Sequence, residues 1–309
     1  MRRLLLVVAG VLASVGFGAA TATSADRTWT ITDLGAGDWS YALAINNHGQ
    51  IVGQSADHGA FLWQNGGLID LSLGFGSTAW DINDRGVVVG NYLSGGSTHG
   101  FVWRNGVVTD LGDLGFFGSL TGINRRGQIV GYRYSASGRP YSSFVWEDGT
   151  FTDLGDLGGG YTTAQAINDR GEVVGSSATA DGVFHAFEWR EGVMTDLGSG
   201  EASDINNHGQ ISGWSLLHAV MWKDGAKTIL GDGYGRGINK HADVVGEREV
   251  FVQPNFVYHG MLWHDGVETD LGTLGGFTAV HAINDRGDAV GTSGLPASGP
   301  QRAVLFSRR

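Results

Sequence analysis

One ten-residue pattern recurs seven times in this chain of 309 residues. Its clearest copy is AINDRGEVVG at 166–175, and near-copies are AINNHGQIVG at 44–53, DINDRGVVVG at 81–90 and AINDRGDAVG at 282–291. Successive copies of the central Ile-Asn pair lie between 33 and 45 residues apart. A period of this length indicates a repeat architecture, because a single unit is too small to bury its own apolar face.

Each repeat predicts four short strands, which we name a to d. Strand a carries Ile-Asn, strand b carries a VVG-like run, strand c carries an aromatic triplet such as FVW at 101–103, and strand d carries a TDLG-like run such as 109–112. Runs of about five residues separated by glycine turns are typical of short antiparallel strands. The repeats show no apolar period of 3.6 residues, so we predict an all-β fold.

The two turns inside each repeat have the chemistry of tight hairpins. The a–b turn reads NDRG or NNHG, in which Asn or Asp bonds the following backbone and glycine accepts a left-handed conformation. The c–d turn is usually Asn-Gly or Asp-Gly, which favours a two-residue hairpin loop. In the sixth copy Ala242 replaces the a–b glycine. A left-handed alanine costs about 1–2 kcal/mol, so we expect this turn to be strained or differently shaped.

The two ends of the repeat region complete each other. The run TWTITDLG at 28–35 is a lone strand d, and RAVLFSRR at 302–309 is a strand c with no strand d after it. We therefore predict a seven-bladed β-propeller with four antiparallel strands per blade. The N-terminal strand d would pair with C-terminal strands a–c and close the ring. An open solenoid would instead need atypical capping repeats.

The first 25 residues predict a secretory signal peptide. Arg2 and Arg3 precede an uncharged apolar run at 4–20, and small residues suit cleavage after Ala22 or Ala25. Residues 26–309 would then form a single propeller domain. The chain has no cysteine, so the ring must close without disulfides even in an oxidising compartment.

Composition narrows the classes of partner. The formal net charge is −11, and without Arg2 and Arg3 it becomes −13. An acidic chain without basic clusters argues against nucleic acid and anionic membranes as partners. We expect a monomer whose partner is a glycan or an extracellular protein.

The combined motifs resemble those of the HAF-repeat family of bacterial extracellular proteins. The resemblance rests on AINDRGEVVG at 166–175, His185-Ala186-Phe187 before Trp189, and TDLGDLGG at 152–159. It covers essentially the whole chain after the signal segment. It implies a secreted bacterial protein, and it assigns no catalytic residues to this chain.

The repeated polar residues predict no metal or cofactor. NDRG places an arginine where a calcium loop needs oxygen ligands, and NNHG supplies no carboxylate. Histidines precede strand c in five repeats, but they lie tens of residues apart without a zinc-binding spacing. We expect each to hydrogen-bond within its own blade, to the Thr or Asp of TDLG.

The positions where the repeats disagree predict a ligand site. Strand a should line the central channel, and residues two and four before each isoleucine should share one side of that strand. The candidate ligand-binding residues at the channel mouth are Tyr41, Trp80, Gln165, Glu201, Tyr234, Arg236 and His281. Aromatic rings there could stack on a sugar while the polar side chains bind its hydroxyl groups.

Three functions remain open on the sequence alone. The favoured one is a secreted, non-enzymatic binding propeller for a carbohydrate or an extracellular surface component. The first alternative is a glycan-cleaving or other hydrolytic enzyme with an acidic axial site, which would use Glu201, Asp81, Asp204 and His281. The second alternative is a purely structural extracellular protein, since fold alone decides no function.

Overall fold

The computed structural model describes residues 29–134, 142–252, 255–296 and 299–308. Every regular element in these ranges is a β-strand, and the strands form seven four-stranded antiparallel sheets arranged as a propeller. The predicted fold class is therefore confirmed. The signal segment proposed at 1–25 lies outside the described residues. In the part of the chain that is described, no helix is long and apolar enough to cross a membrane.

Blades 1 to 6 each contain four consecutive strands. Blade 1 contains β2 (Tyr41–Ile45), β3 (Ile51–Ser55), β4 (Gly59–Gln64) and β5 (Gly67–Asp70). Blade 2 contains β6 (Thr78–Ile82), β7 (Val88–Ser94), β8 (Ser97–Arg104) and β9 (Val107–Asp113). Blade 3 contains β10 (Ser119–Ile123), β11 (Ile129–Arg133), β12 (Ser142–Glu147) and β13 (Thr150–Asp153). Blade 4 contains β14 (Gly158–Ile167), β15 (Val173–Thr179), β16 (Phe184–Arg190) and β17 (Val193–Ser199). Blade 5 contains β18 (Glu201–Ile205), β19 (Gln210–Ser215), β20 (His218–Lys223) and β21 (Ala226–Asp232). Blade 6 contains β22 (Tyr234–Ile238), β23 (Val244–Val252), β24 (Asn255–His264) and β25 (Val267–Asp270).

Blade 7 joins the two ends of the chain. It contains β26 (Thr278–Ile283), β27 (Ala289–Gly294) and β28 (Gln301–Arg308), together with β1 (Trp29–Asp33). β1 pairs antiparallel with β28 over five residue pairs, from Trp29 opposite Arg308 to Asp33 opposite Val304. The predicted ring closure by strand exchange is confirmed. This pairing covers the edge of β28 and gives blade 7 the same four-stranded sheet as the other blades.

Apolar side chains pack between neighbouring blades and form the core. In one such cluster Val174 and Ala186 of blade 4 meet Ile205 and Trp222 of blade 5. Trp222 and Trp263 of strands c are almost fully buried, so these two tryptophans serve packing. Because each cluster spans two blades, no blade has a complete core of its own.

The Ile-Asn pairs build a closed circle of hydrogen bonds. The side-chain amide of each asparagine donates to the backbone carbonyl of the next blade's asparagine, and all seven links have N···O distances between 2.9 and 3.3 Å. All seven asparagines are buried. The circle closes at Asn284, whose amide donates to the carbonyl of Asn46. The asparagine present in all seven repeats therefore fixes the position of each blade relative to the next.

The same asparagines hold the a–b turns. The Oδ1 atom of Asn168 accepts the backbone N–H groups of Arg170 and Glu172, at 3.0 and 3.1 Å. The turn glycines have positive φ, such as +87° at Gly171, as the turn chemistry predicts. Ala242 keeps the same turn with φ of +62°, so the sixth turn is strained rather than reshaped.

The histidines before strand c contact aspartates of their own blades. His99 lies 3.0 Å from Asp110, and His185 lies 2.9 Å from Asp196, in each case measured from Nδ1 to the carboxylate. The aspartates belong to TDLG runs, where they also accept a backbone N–H two residues later. The expected hydrogen bond within the blade is confirmed for four of the five histidines, whereas His58 lies 3.7 Å from Asp70. Each pair ties strand c to strand d.

Candidate functional site

A cavity opens in the central channel at the end opposite the a–b turns. Its volume is about 240 Å³. Strands a of all seven blades contribute to its wall, which confirms that strand a lines the channel. The lining residues are Leu43, Ala44, Trp80, Asp81, Thr121, Gln165, Ala166, Glu201, Ser203, Asp204, Arg236, His281 and Ala282.

A β-bulge in every strand a aims residues into this cavity. In blade 2 the pairing with β7 skips from Ala79 to Asp81, which leaves Trp80 as the extra residue. Trp80 and Asp81 therefore both face the channel, whereas a regular strand would turn one of them away. The corresponding extra residues of the seven strands are Leu43, Trp80, Thr121, Gln165, Ser203, Arg236 and His281.

The bulge also explains the glycine that ends each repeat. In blade 4 a Cβ atom on Gly175 would overlap the backbone carbonyl oxygen of Thr163 on strand a. The same overlap with the strand-a carbonyl recurs at the matching glycine of every other blade. Only a residue without a side chain lets strand b approach the bulged strand this closely.

Two half-buried aspartates join neighbouring blades across the cavity wall. Asp81 accepts the backbone N–H of Ile82 and, with its other oxygen, that of Ile123 in the next blade, at 2.7 and 2.8 Å. Asp204 bridges Ile205 and Ile238 in the same way, at 2.8 and 2.9 Å. Both carboxyl groups are thus fixed in orientation by the scaffold.

The surroundings of these aspartates favour their neutral form. Burial raises the pKa of Asp81 to about 7, against the opposing effect of its two backbone hydrogen bonds, and the charge of Asp204 adds to the rise. Burial likewise raises the pKa of Asp204 to about 6. The two groups change charge near neutral pH, where an unperturbed aspartate is fully ionised.

Three further ionisable side chains share the wall. Burial raises the pKa of Glu201, although the positive charge of Arg236 opposes this. Arg236 forms a salt bridge with Glu247, with an N···O distance of 2.6 Å, which keeps its pKa above the usual value despite burial. Burial lowers the pKa of His281 to about 4, and the charge of Arg236 adds to the effect, so this imidazole is neutral at pH 7.

Two groups in the cavity present unused binding capacity. The Oγ atom of Ser203 is buried and has no hydrogen-bond partner among the described residues. Trp80 is 39% exposed, and its Nε1 donates to Oδ1 of Asn91 at 2.5 Å, which fixes the ring at the cavity. An orphaned hydroxyl and a fixed, exposed indole in one cavity wall are groups that a polar ligand with an apolar face would engage.

The structure brings together five of the seven predicted ligand-binding residues: Trp80, Gln165, Glu201, Arg236 and His281. Tyr41 and Tyr234 do not line the cavity. Tyr234 packs edge-on against Trp214, with ring centroids 5.4 Å apart, and lies beneath the Arg236 guanidinium. The four residues named for an enzymatic site, Glu201, Asp81, Asp204 and His281, all line it.

Sequence reasoning did not single out Ser203 as a site residue. It belongs to the variable series two residues before isoleucine, but serine is small and polar like many loop residues. Its signal is the absence of a partner, and this becomes visible only when the neighbouring blades are in place.

The opposite end of the channel is built on the seven repeated Ile-Asn pairs. It is lined by the Ile-Asn pairs and the residue after each pair. Charged members of this outer layer pair with each other, as Arg125 does with Asp84 at 2.6 Å. Within the described ranges, no group of three or more His, Cys, Asp or Glu side chains could hold a metal ion.

No protein-family model matches the chain, and no curated protein matches it. The resemblance to HAF-repeat proteins therefore stays a prediction.

Several solved structures align with this chain at low sequence identity. A triple mutant of AofleA from Arthrobotrys oligospora is 15% identical, with a TM-score of 0.44 over 79% of this chain and 88% of that one. TolB from Acinetobacter baumannii is 11% identical, with a TM-score of 0.45 over 88% of this chain and 65% of that one. An acylaminoacyl peptidase from Pyrococcus horikoshii is 11% identical, with a TM-score of 0.40 over 76% of this chain and 52% of that one. This chain thus spans about two thirds of TolB and about half of the peptidase. At these identities the similarity concerns fold alone, and no function is transferred from it.

Proposed function

We propose that the protein is a secreted, non-enzymatic binding propeller whose channel cavity takes a neutral saccharide unit. The observation that carries the proposal is the convergence of all seven bulged strands on one cavity, with a different side chain from each blade. A scaffold without a ligand would have no need for this variety on an otherwise repeated frame.

The chemistry of the wall suits a sugar. The exposed indole of Trp80 offers a flat apolar surface for the C–H face of a pyranose ring. The side chains of Gln165, Ser203 and Glu201 offer donors and acceptors for hydroxyl groups. A cavity of about 240 Å³ admits a single small unit rather than a long chain segment lying flat.

The electrostatics favour a neutral ligand over an anionic one. Arg236 is compensated by Glu247, His281 is neutral at pH 7, and Asp81 and Asp204, with pKa values of about 7 and about 6, carry negative charge as the pH rises through this range. An anionic ligand would leave its charge uncompensated in this wall, which is costly in a desolvated site.

Glycan-array screening followed by calorimetry with the best ligand tests the proposal. Trp80→Ala should abolish measurable binding and leave the melting temperature within about 2 °C, because Trp80 is partly exposed. Trp39→Ala is the matched control, since Trp39 is an exposed tryptophan outside the cavity. Failure of every glycan to bind, or equal binding by Trp80→Ala and wild type, would overturn the proposal.

A second candidate function is hydrolysis at the same cavity. It is favoured by the shared position of four ionisable groups, two of which titrate near neutral pH. Against it, both oxygens of Asp81 and of Asp204 already accept backbone hydrogen bonds. Glu201 is then the remaining carboxyl group for acid–base work.

Turnover of a polysaccharide library separates the two functions. A hydrolase should release products at a rate that falls at least ~100-fold in Glu201→Gln, because general acid–base catalysis contributes at least that much. A binding protein should release none while still retaining the ligand found on the array.

A further inference from the structure

A second cavity lies between blades 1 and 2 on the face of the a–b turns, far along the blades from the channel cavity. Its volume is about 420 Å³, and we call it the blade 1–2 groove. Its lining residues are His48, Gly49, Gln50, Leu62, Gln64, Asn65, Asp84, Arg85, Gly86, Trp103 and Asn105.

The groove contains an arginine that differs from its repeat partners. Four a–b turns carry arginine at their third position, and three of these have a partner two residues later. Arg126 donates to Gln128, Arg170 to Glu172 and Arg286 to Asp288. The residues after the turn that accept these bonds belong to the same blade as the arginine.

Blade 2 lacks this partner because Val87 occupies the accepting position. Val87 is buried in the core between blades 2 and 3 and offers no acceptor. Among the described residues, the Arg85 guanidinium has neither a hydrogen bond nor an ion pair. The groove therefore holds a guanidinium whose five donors are free, beside the imidazole of His48.

An aromatic surface and free amides accompany this cation. Trp103 is half-buried, packs against the core between blades 1 and 2, and presents the rest of its ring to the groove. Asn65 and Asn105 sit at the tips of the two c–d turns, with φ of +52° and +50°, and their side chains border the groove. Amides beside an indole bind sugar hydroxyl groups and ring faces together.

The one acid in the groove is already engaged. Asp84 accepts from Asn47 and forms a salt bridge with Arg125 at 2.6 Å. Although burial opposes it, these bonds hold the pKa of Asp84 below its usual range, so the carboxylate is charged and compensated. Arg125 compensates the negative charge of Asp84. An anion that enters the groove would therefore meet Arg85 and His48 without strong repulsion from Asp84.

We propose that the blade 1–2 groove binds an acidic sugar, a uronic acid unit whose carboxylate pairs with Arg85 while its ring lies against Trp103. Guanidinium and carboxylate match in a bidentate geometry, which makes arginine the suitable cation. The ring contact and the amides of Asn65 and Asn105 distinguish a uronic acid from a simple carboxylate. The site is independent of the channel cavity and of its neutral ligand.

Calorimetric titration with glucuronate tests the proposal, with glucose and glutamate as comparison probes. Wild type should bind glucuronate at least ~10-fold more tightly than either, since a charged hydrogen bond and a ring contact are both needed. Arg85→Gln should weaken glucuronate binding at least ~10-fold. Arg126→Gln is the matched control, because Arg126 already has a partner, and it should bind as wild type does.

A second variant blocks the site without removing the arginine. Val87→Gln restores the residue found in blades 1, 3 and 5 at this position, and its side chain would accept from Arg85 as Gln128 does from Arg126. We expect at least ~10-fold weaker glucuronate binding in a fully folded protein. Wild-type affinity in Arg85→Gln, or glutamate binding equal to that of glucuronate, would overturn the proposal.

Discussion

The two ends of the central channel differ although the same seven strands build both. At the a–b end, seven buried asparagines make the same inter-blade bond seven times. At the other end, the bulged positions carry residues as different as Leu43, Trp80 and His281. Ring closure needs identical contacts at one end only. Once that end is fixed, side chains a few residues earlier in the same strands are free to vary.

The outer surfaces of the two faces show the same difference. The loops around the variable end expose large apolar side chains, including Phe75, Phe116 and Leu216, which are 85%, 66% and 80% exposed. The a–b turns expose mainly polar and charged groups. Exposed apolar groups cost solubility, so the loops at the variable end form a candidate contact surface that is separate from the polar groove on the opposite face.

The largest expected effect concerns the asparagine circle. Asn168→Ala leaves two backbone N–H groups and one buried carbonyl without partners, so the free energy of unfolding should fall by about 3–5 kcal/mol. Urea unfolding measures it. Asn207→Ala is the control, since Asn207 lies in the a–b turn of blade 5 directly after the buried Asn206 but is itself exposed. This variant should lose less than ~1 kcal/mol. Similar losses in the two variants would show that the buried asparagine circle contributes no more to stability than the exposed turn contacts.

A smaller effect tests the electrostatics of the variable end. The pKa of Asp81 is raised in the folded state, so its stabilising contribution is complete below about pH 3.8 and is lost as pH rises through about 7. Asp81→Ala should therefore flatten the decline in stability between pH 4 and pH 8, by at most ~4 kcal/mol. Alanine is suitable because Ala44, Ala166 and Ala282 occupy this position in other blades.

The ionisation of His281 changes the free energy of unfolding in the opposite direction over part of this pH range. Its pKa is lowered to about 4, so its contribution is present above about pH 6.5 and is lost as pH falls toward 4. Both proteins retain His281, so the difference between their urea-unfolding curves isolates Asp81. Parallel curves for wild type and Asp81→Ala would show that burial does not perturb this carboxyl group.

The smallest effect concerns Ala242, which replaces the glycine found in the other six a–b turns. Ala242→Gly should relieve the left-handed strain and raise the free energy of unfolding by about 0.5–1 kcal/mol, after the added chain entropy of glycine. Ala226→Gly is the control, because Ala226 has negative φ and should lose stability. A loss in Ala242→Gly would mean that the alanine methyl group contributes more through packing than the turn costs.

Much of the architecture could be predicted because the repeats are local signals. Turn residues such as Asn105-Gly106 act through their own backbone, and the unmatched strands at 28–35 and 302–309 indicate the seam without knowledge of any contact. The site was predictable only in part. Tyr41, Tyr234 and Glu201 hold the same position, four residues before isoleucine, but only Glu201 lines the cavity. Tyr234 packs against Trp214 instead, so the repeat position by itself does not decide which side chains converge.

The sequence by itself determined the number of blades, their strand order and the joining of the chain ends, because these follow from periodic turn and strand signals. Tertiary structure alone decided which variable side chains share a cavity and why Asp81 and Asp204 titrate near neutral pH. Each of these depends on distances between residues some 40 positions apart, and such distances exist only after the ring has closed.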